Sequence, residues 1–339
     1  MRAVVYSETG GPEVLRLVER PVPEPGPGEV RVRVAVSGVN PTDWKSRRGD
    51  GPGQALPFPE AAPNQDGAGT IDAVGEGVDR ARVGERVWIW EAACQRANGT
   101  AQEYLVLPER QAVRLPDDVS FDVGAGLGIP ALTAHRCLTV SELGPAGLAL
   151  GALAGRSVLV AGGAGAVGHA AIQLARWAGA KVIATVSNQE KAALAQAAGA
   201  DRVIDYRSPG AADEIRERAP DGVDIVVEVA PATNSVLNAA VLAPNGTVAV
   251  YAAEGGARVE LPVRELFVRN VRYAFVLVYT VPRGAKDRAV ADVAAAVADG
   301  ALPVGDEAGL PLHRFPLDQT AAAHTAVENG AVGKVLIDV

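Results

Sequence analysis

Gly163, Gly165 and Gly168 stand in G-x-G-x-x-G spacing within the run Val158-Leu159-Val160-Ala161-Gly162-Gly163-Ala164-Gly165-Ala166-Val167-Gly168-His169. An apolar stretch precedes them, as a buried strand would, and Ala170 to Arg176 follow with helical composition. The chemistry that this order serves is the holding of a pyrophosphate. Glycines without Cβ let the backbone come close, and the free amides and positive end of the next helix hold the charge. The backbone of Gly162, Gly163, Ala164, Gly165, Ala166 and Val167 is therefore expected to cradle a dinucleotide. The alternative is a plain strand-to-helix turn with no ligand. The placement directly between strand and helix favours the fingerprint.

The second strand of such a unit reports which dinucleotide is bound. An NAD site places Asp or Glu about 20 residues on, against the ribose 2′-hydroxyl. Here Lys181-Val182-Ile183-Ala184-Thr185-Val186 runs into Ser187-Asn188-Gln189-Glu190-Lys191, and no acid stands at the strand end. A missing carboxylate removes repulsion against a 2′-phosphate, while Ser187 and Lys191 offer a hydroxyl and a cation. Ser187 and Glu190 also read as a capping box, a role compatible with phosphate binding at the same helix start. NADPH is expected over NADH.

Positioning these residues takes a large chain, and 339 residues suffice for two cored domains. Hydrophobic residues make up 48% and charged residues 21%, as in ordinary globular enzymes. A net charge of −8 and a pI near 5.2 argue against nucleic acid or an anionic membrane as partner. No apolar run reaches the length of a membrane span. The chain opens on the strand-like Met1-Arg2-Ala3-Val4-Val5-Tyr6, so no cleaved signal peptide is expected. Cys94 and Cys137 make neither a disulfide framework nor a zinc knuckle, and read as reduced thiols of a cytoplasmic protein.

Up to about residue 125 the chain is rich in Val, Gly and Pro, with short alternating runs. Val30, Val32, Val34 and Val36 share one strand face, and 84–90 and 101–106 read likewise. Beyond Phe121 helix and strand alternate: a helix over 129–143, strands at 157–161, 181–186, 202–205, 223–229 and 246–251, with helices between. This is the rhythm of a doubly wound parallel sheet, which makes the chain an α/β protein. A sixth strand over 271–278 suits a sheet edge and would pair with a second copy, giving a homodimer. Helices over 287–299 and 318–329 and a strand over 334–337 close the chain.

The order of motifs resembles the medium-chain dehydrogenase/reductase superfamily, and within it the zinc-independent quinone oxidoreductase (zeta-crystallin-like) branch. The resemblance spans the chain and rests on Gly10-Gly11-Pro12-Glu13-Val14-Leu15, Pro25-Gly26-Pro27-Gly28-Glu29-Val30, Gly38-Val39-Asn40-Pro41-Thr42-Asp43-Trp44, Gly67-Ala68-Gly69-Thr70-Ile71, Val83-Gly84-Glu85-Arg86-Val87, Ala131-Leu132-Thr133-Ala134, the glycine turn and Gly333-Lys334-Val335. It implies a GroES-like, mostly antiparallel β domain over 1–125 and 279–339, and a Rossmann domain over 126–278. Zinc relatives carry Cys–His–Cys-type ligands. Here the matching positions read Asn40 and Asn64-Gln65-Asp66, and the histidines at 135, 169, 313 and 324 stand apart in sequence, so no metal site is expected.

The resemblance further implies residue roles. Asn40 matches an asparagine near nicotinamide and substrate, although Asn-Pro is also a turn signal. Thr133 packs below the nicotinamide. Asp43 caps the helix expected from Trp44. Lys45 stands near a position where relatives carry tyrosine, and is a candidate to polarise a carbonyl; with Arg47 and Arg48 beside it, a solvated basic face is the competing account. Tyr206, with Arg207 beside it, flanks the adenosine phosphate. Val229, Tyr251, Ala252, Phe275, Val276 and Leu277 fall at the ring-binding strand ends, and Lys334 reaches the cofactor from the last strand unless it lies at the surface. The segments 44–53, 88–94 and 275–279 would shape the substrate pocket. The expected reaction is metal-free hydride transfer from NADPH to a quinone or a conjugated enone. The rivals are an enoyl reductase of secondary metabolism and a non-catalytic NADPH-binding redox sensor.

Overall fold

Val30, Val32, Val34 and Val36 are all buried while Arg33 between them is exposed, so the period-2 pattern sets which strand face turns inward. Each such valine contributes about 1.5–3 kcal/mol of burial. The computed structural model describes residues 1–50 and 56–339, which form two compact units: 1–129 with 311–339, and 130–310. Residues 51–53 of the expected pocket segment lie outside the described residues. Residues 279–310 fall in the second unit, whereas the resemblance implied that they belong to the first.

The first unit begins with strands β1 (Arg2–Val5), β2 (Arg16–Glu19) and β3 (Glu29–Val39). Helix α1 (Pro41–Arg48) follows, and starts at Pro41 rather than at Trp44, with proline suited to the first helical turn. Strands β4 (Asp66–Val74), β5 (Arg86–Ile89), β6 (Tyr104–Pro108) and β7 (Ala112–Arg114) complete its N-terminal part.

Helix α2 (Phe121–Thr139) begins eight residues before the expected Ile129. Ser120 Oγ accepts the Val123 amide at 3.3 Å, which caps the earlier start, and Pro130 is accommodated inside the helix. The second unit continues as β8 (Ser157–Ala161), α3 (Ala166–Trp177), β9 (Lys181–Val186), α4 (Gln189–Ala197), β10 (Arg202–Asp205), α5 (Ala211–Arg218), β11 (Val223–Glu228), α6 (Pro231–Val241), β12 (Leu242–Val250), α7 (Val263–Phe267), β13 (Arg272–Phe275) and α8 (Arg283–Ala298). Its six strands are all parallel, in the order β10-β9-β8-β11-β12-β13. This is the doubly wound order with its switch point between β8 and β11. Strand β13 spans four residues rather than eight. Its partner β12 ends at Val250, and the Val276 amide makes the last bond, to Val250 O.

The chain returns to the first unit with β14 (Leu312–Pro316), α9 (Thr320–Glu328) and β15 (Lys334–Asp338). Its sheet runs β14-β15-β3-β4-β5-β7, with β6 also on β3, and every pair except β14–β15 is antiparallel. The last strand of the sequence thus lies beside β3, with Leu336 opposite Gly38.

Candidate functional site

The glycine turn links β8 to α3, and its glycines do different work. Gly162 has φ +69, a left-handed value that favours glycine. A Cβ on Gly163 would lie 2.9 Å from Ala184 Cβ, and one on Gly168 2.3 Å from Gly162 O, so both permit close packing of helix on strand. A Cβ on Gly165 would meet only Gly162 O, at 3.5 Å, and would otherwise stand in open space. Gly165 is the N-cap of α3 and no side chain caps this helix start. Among the described residues its terminal amides have no side-chain acceptor, and the open side of the turn fits an approaching pyrophosphate. Ala164 is buried, and Ala166 and Val167 form the first helical turn. His169 is buried behind the turn, with Nε2 2.8 Å from Ala308 O, and burial pushes its ring down to about 4.

Next to this turn, Ser187 and Lys191 come together: Lys191 Nζ donates to Ser187 Oγ at 3.4 Å. The cap of α4 is Asn188, whose Oδ1 accepts the Lys191 amide at 2.8 Å, so the capping role expected of Ser187 belongs to its neighbour. The Ser187 hydroxyl is thereby spared for other work. Tyr206 follows β10, beside β9, and its amide bonds Val186 O at 3.2 Å. Arg207 is held by Asp205 through a bidentate pair at 3.0 and 2.8 Å. The structure brings Ser187, Lys191 and Tyr206 to one edge of the sheet's carboxyl end.

Val229 directly follows β11 and lies against the glycine turn: a Cβ on Gly162 would lie 3.1 Å from Val229 Cγ1. The Tyr251 amide bonds Glu228 O at 3.0 Å, which sets Tyr251 and Ala252 beside Val229. Burial pushes the Tyr251 phenol up, with Cys137 and Glu228 next to it. Val276 is buried, whereas Phe275 and Leu277 are 77% and 44% exposed. Thr133 is buried on α2, one turn before Cys137. Sequence reasoning missed Glu228, a fully buried carboxylate that accepts the Ala230 amide at 2.6 Å, Asn234 Nδ2 at 2.9 Å and Asn238 Nδ2 at 2.6 Å. The signal was a lone acid closing the apolar strand Ile225-Val226-Val227. It fixes the turn between β11 and α6.

A second polar cluster lies wholly inside the first unit. Asn40 is 2% exposed, with Nδ2 donating to Asp66 Oδ2 at 2.7 Å and Oδ1 accepting from Lys334 Nζ at 2.7 Å. Lys334 Nζ also lies 3.4 Å from Asp66 Oδ2, and Asp66 Oδ1 accepts the Ile129 amide at 2.8 Å. Lys334 is 2% exposed, so it is not a surface lysine, and the partners the structure gives its ammonium group are Asn40 and Asp66 of its own unit rather than the expected cofactor contact. Burial pushes Asp66 up and Lys334 down, and each opposes the shift of the other. The N-cap of α1 is Asn40 rather than the expected Asp43, because the helix starts three residues earlier. Asp43 stands at the third helical position, where its Oδ2 accepts the Asn40 amide at 2.7 Å, and burial with Asp66 nearby pushes its carboxyl up to about 8. Lys45 lies on Trp44, 5.5 Å from the ring centroid. Its neighbour Arg47 is fully buried on Glu328 at 2.9 Å, whereas Arg48 is half exposed, so the expected basic face is solvated only in part. Trp88 and Trp90 are core residues, 0% and 1% exposed.

A GroES-like β unit interrupted by a doubly wound parallel unit defines a medium-chain dehydrogenase/reductase. Sequence comparison agrees: residues 26–117 match the alcohol dehydrogenase GroES-like domain, and residues 166–295 the zinc-binding dehydrogenase domain. The quinone oxidoreductase of Lama guanicoe is 31% identical over 99% of this chain and 97% of its own. A crystal structure of an NAD-dependent alcohol dehydrogenase and one of a mycobacterial protein complexed with NADPH are each 32% identical over the whole of both chains, with TM-scores of 0.84 and 0.80. The chain belongs to the quinone oxidoreductase family of this superfamily.

The matched domain description raises the question of zinc. Among the described residues no three His, Cys, Asp or Glu side chains gather at metal-binding distance. Where zinc relatives carry the first ligand and the histidine of Gly-His-Glu, this chain has Asn40, whose Oδ1 faces an ammonium group, and Gln65, whose Oε1 accepts the Ala93 amide at 3.1 Å. This donor set does not fit a divalent cation, which needs about three protein ligands and no cation among them.

Proposed function

We propose that this chain is an NADPH-dependent reductase that delivers hydride to a quinone or a conjugated enone, without a metal. The observation that carries the reading is the pairing of Ser187 with Lys191 at the start of α4, beside Tyr206, with no carboxylate at the end of β9. A phosphate there would meet a hydroxyl, an ammonium group and a helix N-terminus. The amides of Gly162 to Val167 would hold the pyrophosphate. Val229, Tyr251, Ala252, Phe275, Val276 and Leu277 would line the ring-binding end of the sheet.

Bound NADPH supplies the hydride. The residues of this chain would orient it and offer hydrogen-bond donors to the oxyanion that develops on the acceptor. Asn40, Lys45 and Thr133 are the donors assigned to that work, and water supplies the proton. The chain would act as a homodimer through the free edge of β13. The exposed side chains of Val263, Phe267, Val268 and Phe275 on and near that edge support this.

Steady-state NADPH oxidation tests the proposal with a panel of ortho- and para-quinones, enones and enoyl thioesters. Turnover with a quinone or enone is expected. Tight NADPH binding without turnover on any acceptor would refute a catalytic role. Equal affinity for NADH and NADPH would overturn the phosphate argument.

A further inference from the structure

The cluster around Lys334 is built, not incidental. A Cβ on Gly38 would lie 3.0 Å from Lys334 Cε and 2.2 Å from Ala125 O, so the bare glycine on β3 makes room for the lysine stem arriving from β15. A Cβ on Gly128 would lie 2.0 Å from Asp66 Oδ1, so a second glycine makes room for the carboxylate. Between them the ammonium group is seated on Asn40 Oδ1 and Asp66 Oδ2. Asp66 in turn holds Asn40 Nδ2. An amide whose oxygen faces a cation and whose nitrogen faces an anion has one orientation. Turned over, it would set N–H against the ammonium group and oxygen against the carboxylate.

We propose that Lys334 is the resident cation of this unit, standing in for a metal. It neutralises Asp66 and, with Asp66, positions the Asn40 carboxamide. The kinetic part of this proposal rests on the reductase reading above; the rest does not.

The test uses the full-length protein. Elemental analysis after dialysis should find well under one zinc per chain, and a stoichiometric zinc would overturn the proposal. Lys334→Met strands a buried carboxylate, and its Tm should fall by about 5–10 °C. The double variant Lys334→Met with Asp66→Asn removes both charges and should recover most of that loss. A double variant as unstable as the single one would refute charge neutralisation. In that refolded double variant the amide loses the charges that orient it, so kcat should fall at least ~10-fold with the NADPH KM unchanged. A wild-type kcat in the double variant would refute positioning. Absence of turnover in the wild type would refute the reductase reading, while metal content and Tm would still decide the role of the cation.

Discussion

Lys191→Ala isolates the phosphate argument, because the fold around it does not depend on its side chain. The Lys191 amide keeps its cap from Asn188 Oδ1 at 2.8 Å, and among the described residues its ammonium group bonds only Ser187 Oγ, at 3.4 Å. The variant should therefore melt as the wild type does. Its loss should appear only with a coenzyme that carries a 2′-phosphate. A hydrogen bond to a charged group contributes about 1.5–3 kcal/mol, which corresponds to a rise in NADPH Kd of about 10- to 150-fold. NADH, which has no phosphate there, should bind unchanged. Titration of cofactor fluorescence against both coenzymes reads the two constants directly. Added salt should erode the wild-type preference for NADPH and leave NADH binding flat. Equal losses for both coenzymes, or none for either, would show that Lys191 does not face the phosphate.

The two inner glycines of the turn should separate binding from stability. Gly165→Ala, at φ −82 and facing open space, should leave Tm unchanged and raise the NADPH KM, whereas Gly168→Ala, with its Cβ 2.3 Å from Gly162 O, should lower stability by about 1–3 kcal/mol in denaturant melts. The buried Asp43 carboxyl is raised from 3.8 to about 8, so the folded state holds the extra proton between those values and loses stability as pH rises through that window. Asp43→Asn should accordingly gain in Tm on the wild type from pH 5 to pH 8, and a pH-independent difference would contradict this. His324 behaves in the opposite sense: burial lowers it from 6.5 to about 3, so its contribution is complete above pH 6.5 and is lost as pH falls toward 3. His324→Gln should flatten the acid limb of the stability profile. Phe275→Asp, on a side chain 77% exposed at the sheet edge, should reduce the mass seen by light scattering from dimer to monomer without a change in Tm of the unit itself.

Much of this chain was legible in one dimension. The period-2 valines of β3 and the strand–glycine–helix order at β8 and α3 are local, since side-chain alternation and glycine's lack of a Cβ act over a few residues. The strands at 157–161, 181–186 and 202–205 lie where the pattern put them. The missing acid after β9 was equally readable. Other features needed the third dimension. The early start of α2 depends on Ser120 as a cap, and the short β13 on where β12 ends. Arg47 reads as a surface cation and is buried because Glu328 reaches it from 281 residues away. Lys334 and Asn40 are 294 residues apart, and only the antiparallel pairing of β15 with β3 joins them. Residue type and spacing thus determined the strand–glycine–helix turn at β8 and α3 and the lack of an acid at the end of β9. Which ammonium group sits on Asn40 was decided by tertiary structure, because a buried charge takes its meaning from partners that the fold, and not the sequence neighbourhood, brings within reach.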